Sequence, residues 1–128
     1  MNKKTVIETS KAPGAVGPYS QAIKTGNLLF TSGQLPIDPE TGKMVEGTTA
    51  DRAHQAIRNL AAVIEAAGGK LDDIVKTTVF LANIDDFQEV NTVYAEYFSS
   101  PFPARSAFQV AALPLGAVIE IEAIVLIN

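Results

Sequence analysis

At 128 residues, 47% of them hydrophobic and 19% charged, the chain is long enough to bury a core and too apolar to be disordered, so we expect a single domain over residues 1–128. Its formal net charge of −4 disfavours nucleic acid as a partner, because a phosphate-binding surface needs clustered Lys and Arg. There is no cysteine, which excludes disulfides and a thiolate nucleophile, and no secretory signal or membrane-spanning apolar run, which leads us to expect a cytoplasmic protein without a membrane partner.

The first predicted elements are short strands. Thr5–Glu8 is predicted as an edge strand, and Lys11–Tyr19, which is rich in Pro and Gly, as a loop. Gln21–Thr25 and Leu28–Gln34 are predicted as strands joined by Gly26-Asn27, a two-residue sequence that favours a hairpin turn.

A helix is predicted next, because apolar residues recur at helical spacing from Ala53 to Ile64. Thr48 and Asp51 have the spacing of a capping box at its start, and Gly68-Gly69 predicts its end. Together these signals give the helix both of its boundaries.

The second half of the chain is predicted to contain a strand, a helix and two further strands. The first strand is Ile74–Ala82, and one of its faces is expected to carry Val75, Thr77, Val79 and Leu81. The helix starts after Asp85-Asp86 and has an apolar stripe formed by Phe87, Val90, Tyr94, Tyr97 and Phe98. The last predicted strands are Arg105–Val110 and Val118–Ile127.

This order of elements predicts an α+β fold, with both helices packed on one face of a mixed sheet. In the last strand one face is entirely apolar, whereas the other carries Glu120 and Glu122 among apolar neighbours. Two carboxylates in such surroundings indicate that the second face is covered as well. We expect another subunit to cover it.

Several familiar kinds of site are disfavoured by the sequence. His54 is the only histidine, which excludes a multi-histidine metal centre, and we expect it at a solvated helix position. Gly68–Leu71 lacks the Ser or Thr that follows the lysine of a phosphate-binding loop. Asp72-Asp73 and Asp85-Asp86 are interpreted as caps rather than metal ligands, so no metal is predicted.

Two constellations remain as candidate catalytic groups. Tyr19 lies in the rigid sequence Gly17-Pro18-Tyr19-Ser20, and Arg105 follows two prolines. The guanidinium of Arg105 is suited to a carboxylate, and Glu120, if desolvated, has the raised pKa of a group that moves protons near neutral pH. The alternative is structural: Arg105 and Glu120 pair with each other, or with acids elsewhere, in a buried salt bridge, and Tyr19 is a half-buried core residue.

The chain resembles the RidA/YjgF family of reactive-intermediate deaminases over nearly its whole length. The matching segments are Ala15–Gln21, Phe30–Gln34, Val90–Tyr94, Phe102–Ser106, Leu113-Pro114 and Val118–Glu122. The resemblance implies a chorismate-mutase-like fold in a homotrimer, with active sites in the clefts between subunits. It also implies hydrolysis of 2-imino acids such as 2-iminobutanoate and 2-iminopropanoate to 2-oxo acids and ammonia, without a cofactor, as a form of metabolite damage control after pyridoxal-phosphate enzymes.

The resemblance also implies roles for individual residues. Arg105 is expected to clamp the substrate carboxylate, Glu120 to hold and activate water, and Tyr19 to line the pocket. Ser32, Gly33 and Asn91 match pocket positions of the family. Many relatives have a cysteine where this chain has Ala107, a position expected to act through its backbone carbonyl and the pocket shape.

Two other functions remain open on the sequence. A non-catalytic regulatory trimer could use Arg105 to bind a 2-oxo acid, although the presence of Arg105 favours the deaminase. Some family members are associated with RNA cleavage and inhibition of translation. The acidic charge and the lack of a histidine pair disfavour that activity here.

Overall fold

A computed structural model describes residues 3–128, which form an α+β fold of two α-helices and a six-stranded sheet. The strands are β1 (Thr5–Ile7), β2 (Ala22–Thr25), β3 (Leu28–Thr31), β4 (Ile74–Leu81), β5 (Ala104–Gln109) and β6 (Ile119–Leu126). The helices are α1 (Thr49–Ala66) and α2 (Phe87–Tyr97). Short 3-10 turns occupy Leu71–Asp73, Ile84–Asp86 and Pro114–Gly116.

The sheet is mixed, with the strand order β1-β2-β3-β6-β4-β5. Strands β4 and β5 are parallel, because α2 crosses between them, and every other pair is antiparallel. Strands β2 and β3 form the predicted hairpin, in which Gly26 adopts a φ of 58° that suits glycine at a tight turn. The predicted fold class is therefore confirmed.

The capping box of α1 is formed as its sequence predicts. The Thr48 hydroxyl accepts a hydrogen bond from the Asp51 amide at 3.1 Å, and the Asp51 carboxylate accepts one from the Thr48 amide at 3.0 Å. The helix ends at Ala66, just before Gly68, whose φ of 89° is unfavourable for other residues.

The core lies between the helices and one face of the sheet. Buried side chains of α1 and of β6 meet there: Ile57, Leu60, Val63 and Ile64 from the helix, and Ile119, Ile121, Ala123 and Val125 from the strand. The predicted alternation of β6 is confirmed, because its other face, with Glu120 and Glu122, is only partly buried.

The sheet face turned away from the helices is largely apolar and exposed in one copy of the chain. Large apolar side chains on this face are Val6, Leu28, Phe30, Phe108 and Leu126. The expectation that a further subunit covers this face stays a prediction. None of the helices in residues 3–128 is both long and apolar enough to cross a membrane.

Two predictions about the strands were wrong. Val75 does not share a face with Thr77, because a β-bulge between Ile74 and Lys76 reverses its side, and it is 46% exposed. Strand β3 ends at Thr31 rather than Gln34.

His54, expected to be solvated, is half-buried between α1 and α2. Its Nδ1 hydrogen-bonds the Tyr97 hydroxyl at 2.8 Å, and its Nε2 lies 3.8 Å from Glu96. Of the two acidic pairs interpreted as caps, Asp73 accepts from the Lys70 amide at 3.0 Å, whereas Asp86 precedes α2 without a side-chain cap.

Candidate active site

Four of the predicted site residues line one cavity of about 620 Å³, at the edge where the loop before β2 meets β6. They are Tyr19, Ser32, Gly33 and Glu120. Most of the remaining wall is apolar, so the structure brings a carboxyl group to the side of a largely apolar recess.

Gly33 allows the Glu120 side chain to lie against the backbone. After β3, the chain returns to β6 through a single bridge, in which the Gln34 amide donates to the Ile121 carbonyl at 2.7 Å. This places Gly33 beside Glu120, and a Cβ on Gly33 would lie 2.6 Å from the carboxyl carbon of Glu120. No residue with a side chain fits there while Glu120 keeps its position.

The pKa of Glu120 is raised above its usual range, first because burial penalises the charged carboxylate and second because the Glu122 carboxylate lies nearby. Both carboxylates project from the same face of β6. A carboxyl group with a raised pKa exchanges protons closer to neutral pH than an ordinary glutamate does.

The loop that carries Tyr19 is held by the buried side chain of Gln21. Its amide oxygen accepts from the Thr9 amide at 2.7 Å, and its Nε2 donates to the carbonyls of Thr9 at 3.0 Å and of Pro13 at 2.8 Å. Tyr19 itself is 52% exposed, and its hydroxyl accepts from the Val16 amide at 3.4 Å. Tyr19 is therefore not a core residue, and the structural alternative for it was wrong.

Ser32 closes the cavity against the same loop. Its hydroxyl donates to the Ser20 carbonyl at 2.6 Å, which fixes the chain between β3 and Gly33. Ser32 and Gly33 line the same cavity as Glu120, and their role in binding a substrate stays a prediction.

Leu115 lines the same cavity and was not identified from the sequence. It is 79% exposed and has a φ of 58°, a left-handed conformation that is costly for leucine. Its only signal in the sequence is its place between Pro114 and Gly116, which indicates a turn but not a cavity wall.

Arg105 lies at a second place, on β5 beneath α2. Its Nη1 donates to the Asn91 side-chain oxygen at 2.8 Å, and its guanidinium carbon lies 4.8 Å from the ring centre of Tyr94 and 5.4 Å from that of Phe87. Within residues 3–128 no carboxylate lies within ion-pair distance of Arg105. Neutral groups therefore hold the guanidinium, and its charge is available for an anion.

Arg105 and Glu120 face opposite sides of the sheet. Arg105 pairs with Thr77 of β4, whose side chain bonds to α2, so both point to the helices. Glu120 pairs with Phe80 of the same strand, an odd number of residues away, so it points to the other face. The alternative of an Arg105–Glu120 salt bridge within one copy was wrong, and one copy does not bring the two groups together.

In one copy, Ala107 lines neither the cavity beside Glu120 nor the surroundings of the Arg105 guanidinium. It pairs with Val79 of β4 and packs against the core on the helix face. Among the described residues there is no cluster of three or more His, Cys, Asp and Glu side chains that could hold a metal ion.

The fold and these two groups together define a small α+β protein with a carboxyl group of raised pKa in an open cavity and a separate guanidinium available for an anion. A family model described as Endoribonuclease L-PSP matches residues 9–127. The human 2-iminobutanoate/2-iminopropanoate deaminase is 52% identical over 94% of this chain and 88% of its own length. A RutC family protein of Sinorhizobium fredii is 55% identical over 93% of this chain and 94% of its own.

A solved structure agrees with this relationship. The crystal structure of a candidate endoribonuclease from Thermotoga maritima superposes with a TM-score of 0.96 at 52% identity, covering 98% of this chain and 99% of that one. The chain belongs to the RidA/YjgF family, whose model carries the description Endoribonuclease L-PSP.

Proposed function

We propose that this protein hydrolyses small 2-imino acids and their enamine tautomers to 2-oxo acids and ammonia. The observation that carries the proposal is Glu120, a carboxyl group with a raised pKa at the wall of an open cavity. The human relative with 52% identity, which is named a 2-iminobutanoate/2-iminopropanoate deaminase, supports the same reaction.

The chemistry needs little more than the groups described. The protonated imine carbon is already electrophilic, so water can add without a covalent enzyme intermediate. Glu120 as carboxylate accepts a proton from the attacking water and returns it to the nitrogen of the tetrahedral intermediate. Ammonia then leaves as the carbonyl forms, and Glu120 accepts the proton of the intermediate's hydroxyl and passes it to ammonia or to solvent. Arg105 binds the substrate carboxylate through parallel hydrogen bonds and orients the imine carbon.

We propose that two copies complete each site, because Arg105 and Glu120 face opposite sides of the sheet in one copy. The exposed apolar face that carries Glu120 is suited to burial against neighbouring copies, and a homotrimer with clefts between subunits is the assembly that we propose. Tyr19 and Asn91 line the cleft from its two sides, and Ala107 contributes through its backbone.

The imines that we propose as substrates are released by pyridoxal-phosphate enzymes in the cytoplasm, where hydrolysis removes reactive intermediates. The description of the family model raises RNA cleavage as an alternative. The net charge of −4 and the half-buried position of His54, the only histidine, make the deaminase the better supported activity.

The first experiment couples the protein to a threonine dehydratase and follows 2-oxobutanoate, with semicarbazide competing for the imine. We expect wild type to accelerate release over spontaneous hydrolysis. Glu120→Gln should lose about a hundredfold or more of the acceleration, and Arg105→Ala about tenfold to a hundredfold. Glu65→Gln and Arg58→Ala are matched controls, since each removes the same charge from an exposed position of α1. No acceleration by wild type over several imines would overturn the proposal.

The second experiment tests whether a site spans two copies. One chain carries Arg105→Ala and the other carries Glu120→Gln, so each has low activity by itself. The two chains are then co-expressed in equal amounts. In a trimer with sites between copies, about a quarter of the sites receive an intact Arg105 from one chain and an intact Glu120 from the other. Recovery of activity supports the shared site, and a mixed trimer as inactive as its parents contradicts it.

A further inference from the structure

Tyr94 of α2 links the buried core to the exposed guanidinium of Arg105. The Tyr94 side chain is 7% exposed, and its hydroxyl hydrogen-bonds the Oγ1 of Thr77, a fully buried residue of β4, at 2.9 Å. The Tyr94 ring stacks on Phe98, with centroids 4.2 Å apart and planes inclined by 23°. One ring face and the hydroxyl are thus fixed by buried groups.

The other ring face is turned to Arg105. Because Phe98 covers one face at 4.2 Å, the guanidinium carbon, which lies over the ring 4.8 Å from its centre, occupies the opposite face. Thr77 is also the strand partner of Arg105 in β4 and β5. The residue that anchors the tyrosine hydroxyl and the residue that carries the guanidinium therefore share one rung of the sheet.

This contact matters because a free arginine side chain has many rotamers. Ordering such a side chain when a ligand arrives opposes binding, and a group that is ordered beforehand binds more tightly. Asn91 accepts one N–H of Arg105 at 2.8 Å, and the Tyr94 ring restricts the plane of the guanidinium. The remaining N–H groups are left to bind a planar carboxylate.

We propose that Tyr94 is a positioning residue that holds Arg105 ready for the substrate carboxylate. The proposal rests on the proposed function, in which Arg105 binds that carboxylate. A tyrosine with only a structural role would affect stability and binding in proportion. If Tyr94 positions Arg105, variants that lose the aromatic ring bind the carboxylate more weakly. A variant that keeps the ring retains binding even when its stability falls.

The test compares Tyr94→Leu, Tyr94→Met and Tyr94→Phe for three quantities: the KM and kcat for imine hydrolysis, the Kd for 2-oxobutanoate by calorimetry, and the Tm. In the first two variants the guanidinium loses the Tyr94 ring and keeps only the more distant contact with the Phe87 ring, so we expect KM and Kd to rise about fivefold. We expect kcat to change less than about twofold, because the carboxylate is bound equally before and during the reaction. Tyr94→Phe keeps the ring, so its Tm should fall while its KM stays within about twofold of wild type.

Phe98→Leu is the matched control. It disturbs the same aromatic stack from the side away from Arg105, so its Tm should fall while KM and Kd are retained. The proposal is overturned if Tyr94→Leu and Tyr94→Met bind 2-oxobutanoate like wild type, or if KM rises in all four variants in step with the loss of Tm. The Kd does not depend on catalysis, so a wild type that binds 2-oxobutanoate but hydrolyses no imine would contradict the proposed function and still test Tyr94.

Discussion

Replacement of Gly33 by alanine should remove most of the imine-hydrolysing activity, because the added methyl group displaces the Glu120 carboxyl group. The added Cβ would lie 2.6 Å from the carboxyl carbon and 2.8 Å from the Cγ of Glu120. Carbon atoms normally approach to about 3.5 Å, so the carboxyl group must move by about 1 Å. A misplacement of about 1 Å can cost about a hundredfold in rate, which is the loss of kcat that we expect.

The same substitution should leave the fold intact. Gly33 is not among the glycines with a positive φ, so alanine is not strained at this position. The displaced carboxyl is the end of a side chain that can rotate into the cavity. Alanine also reduces the freedom of the unfolded chain, a gain of about 0.4–1 kcal/mol that offsets the local adjustment.

Gly14→Ala is the control for this substitution. Gly14 lines the same cavity, does not have a positive φ, and an added Cβ there meets nothing within 4 Å. Both variants are assayed by the coupled release of 2-oxobutanoate, alone and with Glu120→Gln. The reasoning is refuted if Gly33→Ala keeps the kcat of Gly14→Ala, or if it lowers kcat a further hundredfold when Glu120 is already glutamine.

Three further predictions concern pH and stability. Glu122→Gln removes one cause of the raised pKa of Glu120, so the acidic limb of the kcat/KM profile should move to lower pH; a limb that stays in place would show that Glu122 has no influence. Leu115→Asn places a residue that tolerates a positive φ at a position that is 79% exposed, so urea unfolding should show a gain of about 0.5–1 kcal/mol, and a loss would contradict the strain argument. Thr48→Ala removes the cap of α1 and should lower the free energy of unfolding by about 1 kcal/mol at unchanged kcat, whereas equal stability would mean that the cap is dispensable.

Local signals were sufficient for much of the fold. The Thr48 and Asp51 pair specifies the start of α1 by hydrogen bonds within one turn, and Gly26-Asn27 specifies a hairpin for a similar reason. The alternation of β6 depends only on the pleat of a strand. These features were confirmed because neighbours in sequence decide them.

Features decided by strand register were beyond the sequence. The β-bulge between Ile74 and Lys76 shifts the pairing of β4 with β6 by one residue, so the Val75 side chain points to the opposite face from the one predicted. No glycine or proline in the sequence marks this bulge. Whether Arg105 and Glu120 share a face depends on the pairing of β4 with both of its neighbours, which no local pattern contains.

Contacts between distant elements were missed for the same reason. The spacing of His54 along α1 does not show that Tyr97 of α2 lies 2.8 Å from it. The family resemblance identified Gly33 as a pocket residue. The structure shows why this position is a glycine: the Glu120 side chain lies against its backbone.

The segment from Thr9 to Tyr19 should open independently of the sheet, because the buried amide of Gln21 holds much of it in place. No β-ladder holds this segment, and the Gln21 side chain supplies hydrogen bonds to Thr9 and Pro13 in its place. Amide hydrogens here should exchange with solvent through local opening at a lower free energy than those of β4 and β6, which exchange only when the sheet unfolds. We therefore expect the wall of the cavity that carries Tyr19 to detach while the face that carries Glu120 stays folded.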